Sequence, residues 1–226
     1  MKLKNIIGTA ALLSALLAAV LAASRVTGWA TATVAAAVLG CVPMFLAFEK
    51  RAPSARELVL LAVMTAFSVS GRFIFAAVPF FKPVTAIVVL TAVYFGRQAG
   101  FMVGALSAVI SNIYFGQGAW TPFQMFGWGS IGWLAGVFGK KLEKPAALCV
   151  YGVFAGAAYS VIMEIWTTLS ADGFFSLTRW SASMLAAMPV TLVYCVSNAV
   201  FLLLLRKPVG KRLERLKTKF GVFSEQ

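Results

Sequence analysis

The hydrophobic and polar positions of this chain are arranged in long blocks rather than in a short amphipathic repeat. Short polar or aromatic turns separate eight apolar segments, at residues 6–23, 29–48, 58–75, 84–95, 99–113, 123–138, 146–169 and 182–205. Apolar runs of about 17–25 residues are long enough to cross the hydrocarbon core of a bilayer as helices. The pattern therefore predicts an all-α polytopic membrane protein.

One apolar segment, at residues 84–95, is short for a membrane span. We expect that its flanks extend it, that it lies in a thin part of the fold, or that it is partly re-entrant.

A charged hinge divides the pattern into two parts. Residues 49–57 read EKRAPSARE, which combines charge with a proline. We therefore expect an N-terminal transmembrane helix pair at residues 1–52, a six-helix core at 53–206 and a basic cytoplasmic tail at 207–226. The first segment also resembles a secretory signal, with a basic head and small residues near 22–24. An uncleaved helix is favoured, because a second apolar run follows almost at once.

The basic residues predict the orientation of the spans. With the N-terminus inside, sixteen of the 20 Lys and Arg residues fall on the inner side, and only Arg25, Arg72, Lys82 and Arg179 fall outside. Cytoplasmic loops of membrane proteins carry such an excess of basic residues. We expect a protein of the cytoplasmic membrane with both termini in the cytoplasm. The basic tail would lie on anionic headgroups or contact a cytoplasmic partner.

Composition narrows the class of function. The chain is 61% hydrophobic and 12% charged, and its net charge is +13. Because the bases lie beside apolar runs, this charge fits membrane topology and we expect no nucleic-acid partner. The absence of histidine excludes a Ser–His relay and a HExxH zinc site. Cys41, Cys149 and Cys195 share no metal-like spacing, and no nucleotide motif is present. We expect no catalytic residues, no metal and no cofactor, so that partner subunits would hydrolyse any ATP used in transport.

Aromatic and amide side chains concentrate in three turns, at residues 76–83, 114–123 and 170–180, which the charge pattern places on the outer side. Tryptophan and tyrosine also collect at membrane interfaces, so a simple belt is one interpretation. We favour a pocket, because apolar walls with a few polar groups suit a small molecule. Glu164 lies inside an apolar segment, where it would pair with Arg72 or contact the ligand. The predicted substrate-binding residues are Phe81, Lys82, Asn112, Tyr114, Gln117, Trp120, Gln124, Trp128, Glu164 and Arg179.

Small residues recur every four positions in several segments, which lets helix backbones approach closely in lipid. The rows Gly96–Gly100–Gly104–Ala108 and Gly152–Gly156–Ser160 are expected to pack inside the protein. Two further rows are Ala62–Ala66–Ser70 and residues 11–23, and an alanine row can equally be an external docking face.

The core sequence resembles a known transporter family. The strings RELVLLAVMTAFSVSGRFIF, VPFFKPVTAIVVL and GFMVGALSAVISNIYFGQGAWTPFQMFGWGSIGWLAG are similar to the substrate-binding S components of energy-coupling factor (ECF) vitamin transporters. Within this family the chain looks most like the cobalamin-specific branch. The resemblance implies a six-helix core that binds a vitamin from outside. It also implies a transmembrane coupling subunit and two ABC-type ATPase subunits as partners.

The resemblance also implies a docking face on the first core helix, which here corresponds to Ala62, Ala66 and Ser70. The two extra N-terminal helices depart from the six-helix pattern and leave open whether the row at residues 11–23 shares that role. An S component for another vitamin or micronutrient is the main alternative. A self-powered secondary transporter is less favoured, because the sequence has one intramembrane carboxylate and no inverted repeat.

Overall fold

The structure is a computed structural model that describes residues 29–223, with side chains from residue 34 onward. Every regular element in that range is helical, which confirms the predicted all-α class. The helices are α1 (Trp29–Glu49), α2 (Ala55–Ile74), α3 (Val84–Phe95), α4 (Arg97–Phe115), α5 (Thr121–Phe138), α6 (Pro145–Asp172), α7 (Leu177–Ala186) and α8 (Met188–Phe220). A short 3-10 helix, Gly139–Glu143, joins α5 to α6. The predicted helix at residues 6–23 and its small-residue row lie outside the described residues.

Four of the described helices, α2, α4, α6 and α8, are long and apolar enough to cross a membrane. The short segment, α3, is not one of these four helices. Its 12 residues rise about 18 Å, less than the ~30 Å of a hydrocarbon core. All of them except Tyr94 are buried, and α3 packs against α2, α4, α5 and α8. Because protein surrounds it, α3 forms the centre of the core and does not need the length of a lipid-exposed span.

The glycine row of α4 packs inside the protein, as the sequence predicts. A Cβ atom added at Gly100 would lie 2.8 Å from the carbonyl oxygen of Gly132, and one added at Gly104 would lie 2.5 Å from that of Trp128. The backbones of α4 and α5 are therefore in direct contact along two turns. This contact fixes the position of the α5 segment that carries Gln124 and Trp128.

The second glycine row joins α6 to α8. A Cβ at Gly156 would lie 2.7 Å from the backbone nitrogen of Cys195, and the hydroxyls of Ser160 and Thr191 are 2.6 Å apart one turn further along. These two close contacts place the side of α8 that carries Thr191 and Cys195 against α6.

The last apolar segment differs from the prediction. The sequence indicates one helix at residues 182–205, whereas the structure ends α7 at Ala186 and begins α8 at Met188. Pro189 stands at the start of α8, where its fixed φ and missing N–H are tolerated. α7 is amphipathic and none of its residues is buried.

The basic tail is folded as far as residue 223. α8 continues without interruption through the predicted boundary at residue 206 to Phe220. Phe223 then stacks on Phe95 at a centroid distance of 5.0 Å, and its backbone N–H donates to the Glu57 carboxylate over 2.8 Å. The tail therefore packs on its own core, because two apolar residues, Val222 and Phe223, follow the basic run and are both buried.

Candidate ligand-binding site

A cavity of about 250 Å³ lies at the end of the bundle where α2 ends and α5 and α8 begin. The first turn of α3 contributes Val84 and Thr85 to its lining. Its walls come from the loop after α2 and from α2, α3, α5, α6 and α8. The lining residues are Arg72, Pro79, Phe80, Lys82, Val84, Thr85, Gln124, Trp128, Tyr159, Tyr194 and Asn198.

Four aromatic rings form a continuous wall of this cavity. Trp128 and Tyr159 are stacked, with centroids 5.1 Å apart and planes 11° from parallel. Tyr194 meets Tyr159 edge-on at 5.3 Å, and Phe80 meets Tyr194 edge-on at 5.7 Å. Phe80 has a positive φ of 61°, a backbone conformation that bulky residues rarely adopt. Flat and edge-on rings together suit a planar, conjugated ligand.

A chain of side-chain hydrogen bonds fixes the polarity of Gln124. Arg72 can only donate, and its Nη1 lies 2.8 Å from one terminal atom of the Asn112 side chain, which must therefore be Oδ1. The Nδ2 of Asn112 then donates to the Oε1 of Gln124 over 2.7 Å and to the hydroxyl of Thr121 over 2.9 Å. The remaining group of Gln124 is its Nε2, a donor, and the hydroxyl of Tyr159 in the cavity wall is already a hydrogen-bond partner of this side chain.

Asn198 has the opposite polarity. Its Nδ2 donates to the carbonyl oxygen of Gly152 over 3.2 Å, which leaves Oδ1 as the atom available to the cavity. Arg72, Lys82 and Gln124 supply donors, whereas Asn198 supplies an acceptor. Among the described residues that line the cavity none is Asp or Glu. The site therefore suits a ligand edge with several acceptors and one donor, and it disfavours a cationic ligand.

Lys82 is held in place by α8. Its backbone N–H donates to the hydroxyl of Ser197 over 2.9 Å, and its Nζ lies 5.1 Å from the ring centroid of Phe115. Burial lowers the pKa of Lys82, and the positive charge of Arg72 lowers it further. Two cations near one cavity repel each other, and an electron-rich ligand between them would relieve that repulsion.

The structure brings together only some of the predicted site residues. Lys82, Gln124 and Trp128 line the cavity. Asn112 is buried behind it and contacts Gln124. Phe81 packs instead on Phe75 and Phe201.

The other predicted site residues lie apart from the cavity. Gln117 accepts from Thr121 and donates to a backbone carbonyl, and the Tyr114 side chain is 74% exposed. Trp120 is also exposed and packs over Gly118. Glu164 is bonded to the hydroxyl of Ser183 on α7 rather than to Arg72, and Arg179 pairs with Asp172 at 2.7 Å.

Several cavity residues were not predicted as binding residues. The sequence favours Arg72 as a partner for Glu164, and Tyr159, Tyr194, Thr85 and Asn198 lie within apolar segments. The sequence does contain a signal for the last four, namely a polar side chain within an apolar segment. Such side chains usually face the interior of the helix bundle.

Comparisons with known proteins agree with this architecture. Residues 52–215 match the family described as ECF-type riboflavin transporter, S component. A UPF0397 protein of Vibrio atlanticus (strain LGP32) is 30% identical over 176 residues, covering 70% of this chain and 93% of the relative. No solved structure matches the chain. The matched family carries riboflavin in its name, so the comparison does not support the cobalamin-specific branch. This chain belongs to the S components of ECF-type riboflavin transporters.

Proposed function

We propose that this protein captures a flavin, with riboflavin as the best candidate, and delivers it across the membrane through a shared ATP-driven module. The observation that carries this proposal is the cavity at the end of α3, in which an aromatic wall faces amide groups of fixed polarity. The wall matches a planar fused-ring system better than a flexible or charged ligand.

The polar groups support the same ligand. The pyrimidine edge of the flavin ring offers carbonyl oxygens on either side of an N–H group. Donors at Arg72, Lys82 and Gln124 would meet the acceptors, and the Oδ1 of Asn198 would accept from the N–H. Every group on this edge then has a partner, as burial of polar groups requires.

Cavity size argues against cobalamin. A volume of about 250 Å³ lies just below the ~300–1,000 Å³ usual for small-molecule pockets. A corrin ring with its amide rim and nucleotide loop is several times larger than a three-ring vitamin. Cobalamin would enter only if the outer turns separated widely, and it is the less supported substrate.

Energy for transport would come from partner subunits. S components of this family work with an ECF transmembrane subunit and an ATPase module. Ala62, Ala66 and Ser70 lie on an exposed face of α2, beside the exposed side chains of Val59 and Val63. This row of small side chains supports a role as the docking face for the coupling subunit.

The orientation proposed from the sequence is compatible with the position of the cavity. Arg51, Arg97, Lys140 and Lys217 gather at the end of the bundle opposite the ligand cavity. If that end faces the cytoplasm, as the excess of basic residues indicates, the ligand cavity faces outward and both termini lie inside.

Ligand binding to the purified protein tests the substrate. Riboflavin, FMN and lumichrome would be titrated by flavin fluorescence, and cyanocobalamin, folate and biotin by calorimetry. We expect riboflavin to bind with quenching of its emission, because its ring would lie against Trp128 and Tyr159. Heat with cyanocobalamin and none with riboflavin would restore cobalamin as the substrate. Tight binding of folate or biotin alone would retain the S-component role and discard the flavin.

A further inference from the structure

The two cations of the ligand cavity share one aromatic ring that does not line it. The guanidinium carbon of Arg72 lies 4.6 Å from the ring centroid of Phe115, and the Nζ of Lys82 lies 5.1 Å from the same centroid. Both distances are within the ~6 Å range of cation–π attraction. Phe115, the last residue of α4, therefore contacts both charged groups of the site without being part of the cavity wall.

No carboxylate among the described residues neutralises these cations. Neither Arg72 nor Lys82 forms a salt bridge with any of them, and the hydrogen bonds of Arg72 go to the neutral side chains of Ser111 and Asn112. Burial lowers the pKa of Lys82, and the charge of Arg72 lowers it further, so the two cations repel each other. Attraction to the electron-rich face of the Phe115 ring offsets part of this repulsion.

Two other aromatic side chains hold the Phe115 ring in place. Phe73 of α2 stacks on it, with centroids 5.2 Å apart and planes 26° from parallel, and Tyr114 meets it edge-on at 5.2 Å. Phe73 and Tyr114 also contact each other edge-on at 4.9 Å. The chain then turns at Gly116, whose φ of 102° suits glycine. The position of the ring therefore depends on the packing of α2 and α4.

We propose that Phe115 is a positioning residue of the ligand cavity, whose ring holds the Arg72 guanidinium and the Lys82 ammonium beside the ligand without neutralising either charge. A carboxylate in the same place would accept hydrogen bonds from both bases and compete with the acceptor edge of the ligand. The ring attracts the charges and leaves their N–H groups available. This proposal rests on the proposed function, because it assigns how the cavity presents donors to that edge.

A series of fluorinated phenylalanines at position 115 of the full chain tests the proposal. Fluorine withdraws electrons from the ring face and weakens cation–π attraction in steps, while the ring keeps nearly the same shape. We expect the Kd for riboflavin to rise with each added fluorine, by about tenfold in total for the trifluoro ring. Phe115→Leu should weaken binding at least as much, and Phe115→Tyr, which keeps an electron-rich ring, should retain the wild-type affinity.

Phe220 provides the matched control, because it also contacts two cations but lies at the far end of α8 from the ligand cavity. The guanidinium carbon of Arg56 is 5.6 Å from its ring centroid, and the Nζ of Lys219 is 5.2 Å from it. Fluorination of Phe220 weakens the same kind of contact outside the site. It should leave the riboflavin affinity unchanged.

A second measurement needs no ligand. Acetic anhydride acetylates the neutral amine of Lys82, and mass spectrometry of the peptides gives the rate in the ligand-free protein at a fixed, mildly alkaline pH. Weaker cation–π attraction destabilises the ammonium and lowers the pKa of Lys82 further, so each fluorine at position 115 should raise this rate. The other charged or titratable residues that line the cavity, Arg72, Tyr159 and Tyr194, are the same in every member of the series.

The outcomes separate this inference from the proposed function. If the wild-type protein binds riboflavin, a graded change in both measurements supports the role of Phe115, and a flat series in either one overturns it. Equal losses of affinity in the Phe115 and Phe220 series would also overturn it, as would a loss confined to Phe115→Leu, which would mean packing alone. If the wild-type protein binds no riboflavin, the flavin proposal fails. The acetylation series then still decides whether Phe115 holds Lys82.

Discussion

At the scale of single residues, Asn112 determines which hydrogen-bonding atom of Gln124 is directed to the ligand cavity. It is 1% exposed and makes no contribution to the cavity wall, yet its two ends link Arg72 to Gln124. Because Arg72 cannot accept, the direction of every hydrogen bond in this chain of contacts is determined. A residue that never touches the ligand would thus determine which of its atoms can bind. Asn112 is a positioning residue in this interpretation.

The substitution Asn112→Asp tests this interpretation. Aspartate would pair with Arg72 and could only accept from Gln124, whose amide would turn and present Oε1 to the cavity. A mismatched buried hydrogen bond costs about 1–3 kcal/mol, so we expect riboflavin affinity to fall about tenfold or more. Gln117→Glu adds the same charge to an exposed side chain outside the cavity and should change affinity less than threefold. Unchanged binding by the Asn112→Asp variant, measured by flavin fluorescence, would exclude the polarity argument.

Lys82 and Arg179 provide a second contrast, since the sequence indicated both as bases for the ligand. Only Lys82 lines the cavity, whereas Arg179 pairs with Asp172. We expect Lys82→Met to weaken riboflavin binding by about tenfold to a hundredfold, as loss of a charged hydrogen bond of about 1.5–3 kcal/mol implies. Arg179→Met should leave the affinity unchanged. Titration calorimetry on the two variants measures this, and a larger loss with Arg179→Met would move the site towards α7.

At the scale of elements, the contact between α4 and α5 positions the side chains of α5 that line the ligand cavity. Gly104 lies against the backbone of Trp128, so that no side chain separates the two helices. α2 differs from them, because one face packs on α3 and α4 and the other, with Ala62 and Ala66, is exposed. Small residues therefore serve two purposes in this chain. They bring α4 and α5 together, and they leave α2 with a flat surface.

Gly104→Ala should disturb the site from a distance. The new methyl group would lie 2.5 Å from the carbonyl oxygen of Trp128, and overpacking of this kind costs about 1–3 kcal/mol. We expect a lower Tm and weaker riboflavin binding, because α5 must shift. The matched control is Gly40→Ala, where the methyl group meets only the Phe126 ring at 3.3 Å. Similar Tm changes in both variants would contradict the role of the α4–α5 contact.

Substitution by large side chains tests the role of the exposed face of α2. Replacement of both Ala62 and Ala66 by Trp should block assembly with the coupling subunit by steric exclusion, while riboflavin binding by the isolated protein survives. Val196→Trp with Leu204→Trp adds the same two side chains to an exposed face of α8 and should permit assembly. Co-purification of the ATPase subunits measures the difference. Normal assembly of the α2 variant would place the docking face elsewhere, with residues 11–23 as the next candidate.

At the scale of the whole molecule, the described residues form two cavities at opposite ends of one buried helix. The ligand cavity lies at the start of α3, and the second cavity, lined by Arg51, Arg97, Lys140 and Lys217, lies at its end. The sequence contains no nucleotide motif. We therefore expect the molecule to bind its ligand at one end and to depend on partner subunits for energy.

Reconstitution tests this division of labour. The protein alone in liposomes should bind riboflavin but should not accumulate it, with or without a proton or sodium gradient. The same liposomes with the coupling and ATPase subunits should concentrate riboflavin when ATP is present. Gradient-driven accumulation by the lone subunit would make a secondary transporter the better interpretation.

The sequence by itself determined the class of the molecule and the positions of most of its helices. Long apolar segments separated by short turns indicate membrane-embedded helices, because a helix pairs its backbone groups internally and a run of about 20 residues crosses the bilayer. The glycine rows also indicated internal packing, since a four-residue spacing places small side chains on one helix face. These properties are local, and the order of residues along the chain is sufficient to predict them.

Only the tertiary structure decided which residues share the cavity. Tyr159, Tyr194 and Asn198 come from α6 and α8, and their apolar neighbours concealed them. Trp120 and Gln117 appeared in the same motif as Gln124, yet a turn before α5 directs them away from the cavity. The folded position of Phe223 was equally hidden. Contacts between distant segments depend on the packing of whole helices. The local pattern of polar and apolar residues does not predict which helix faces will meet.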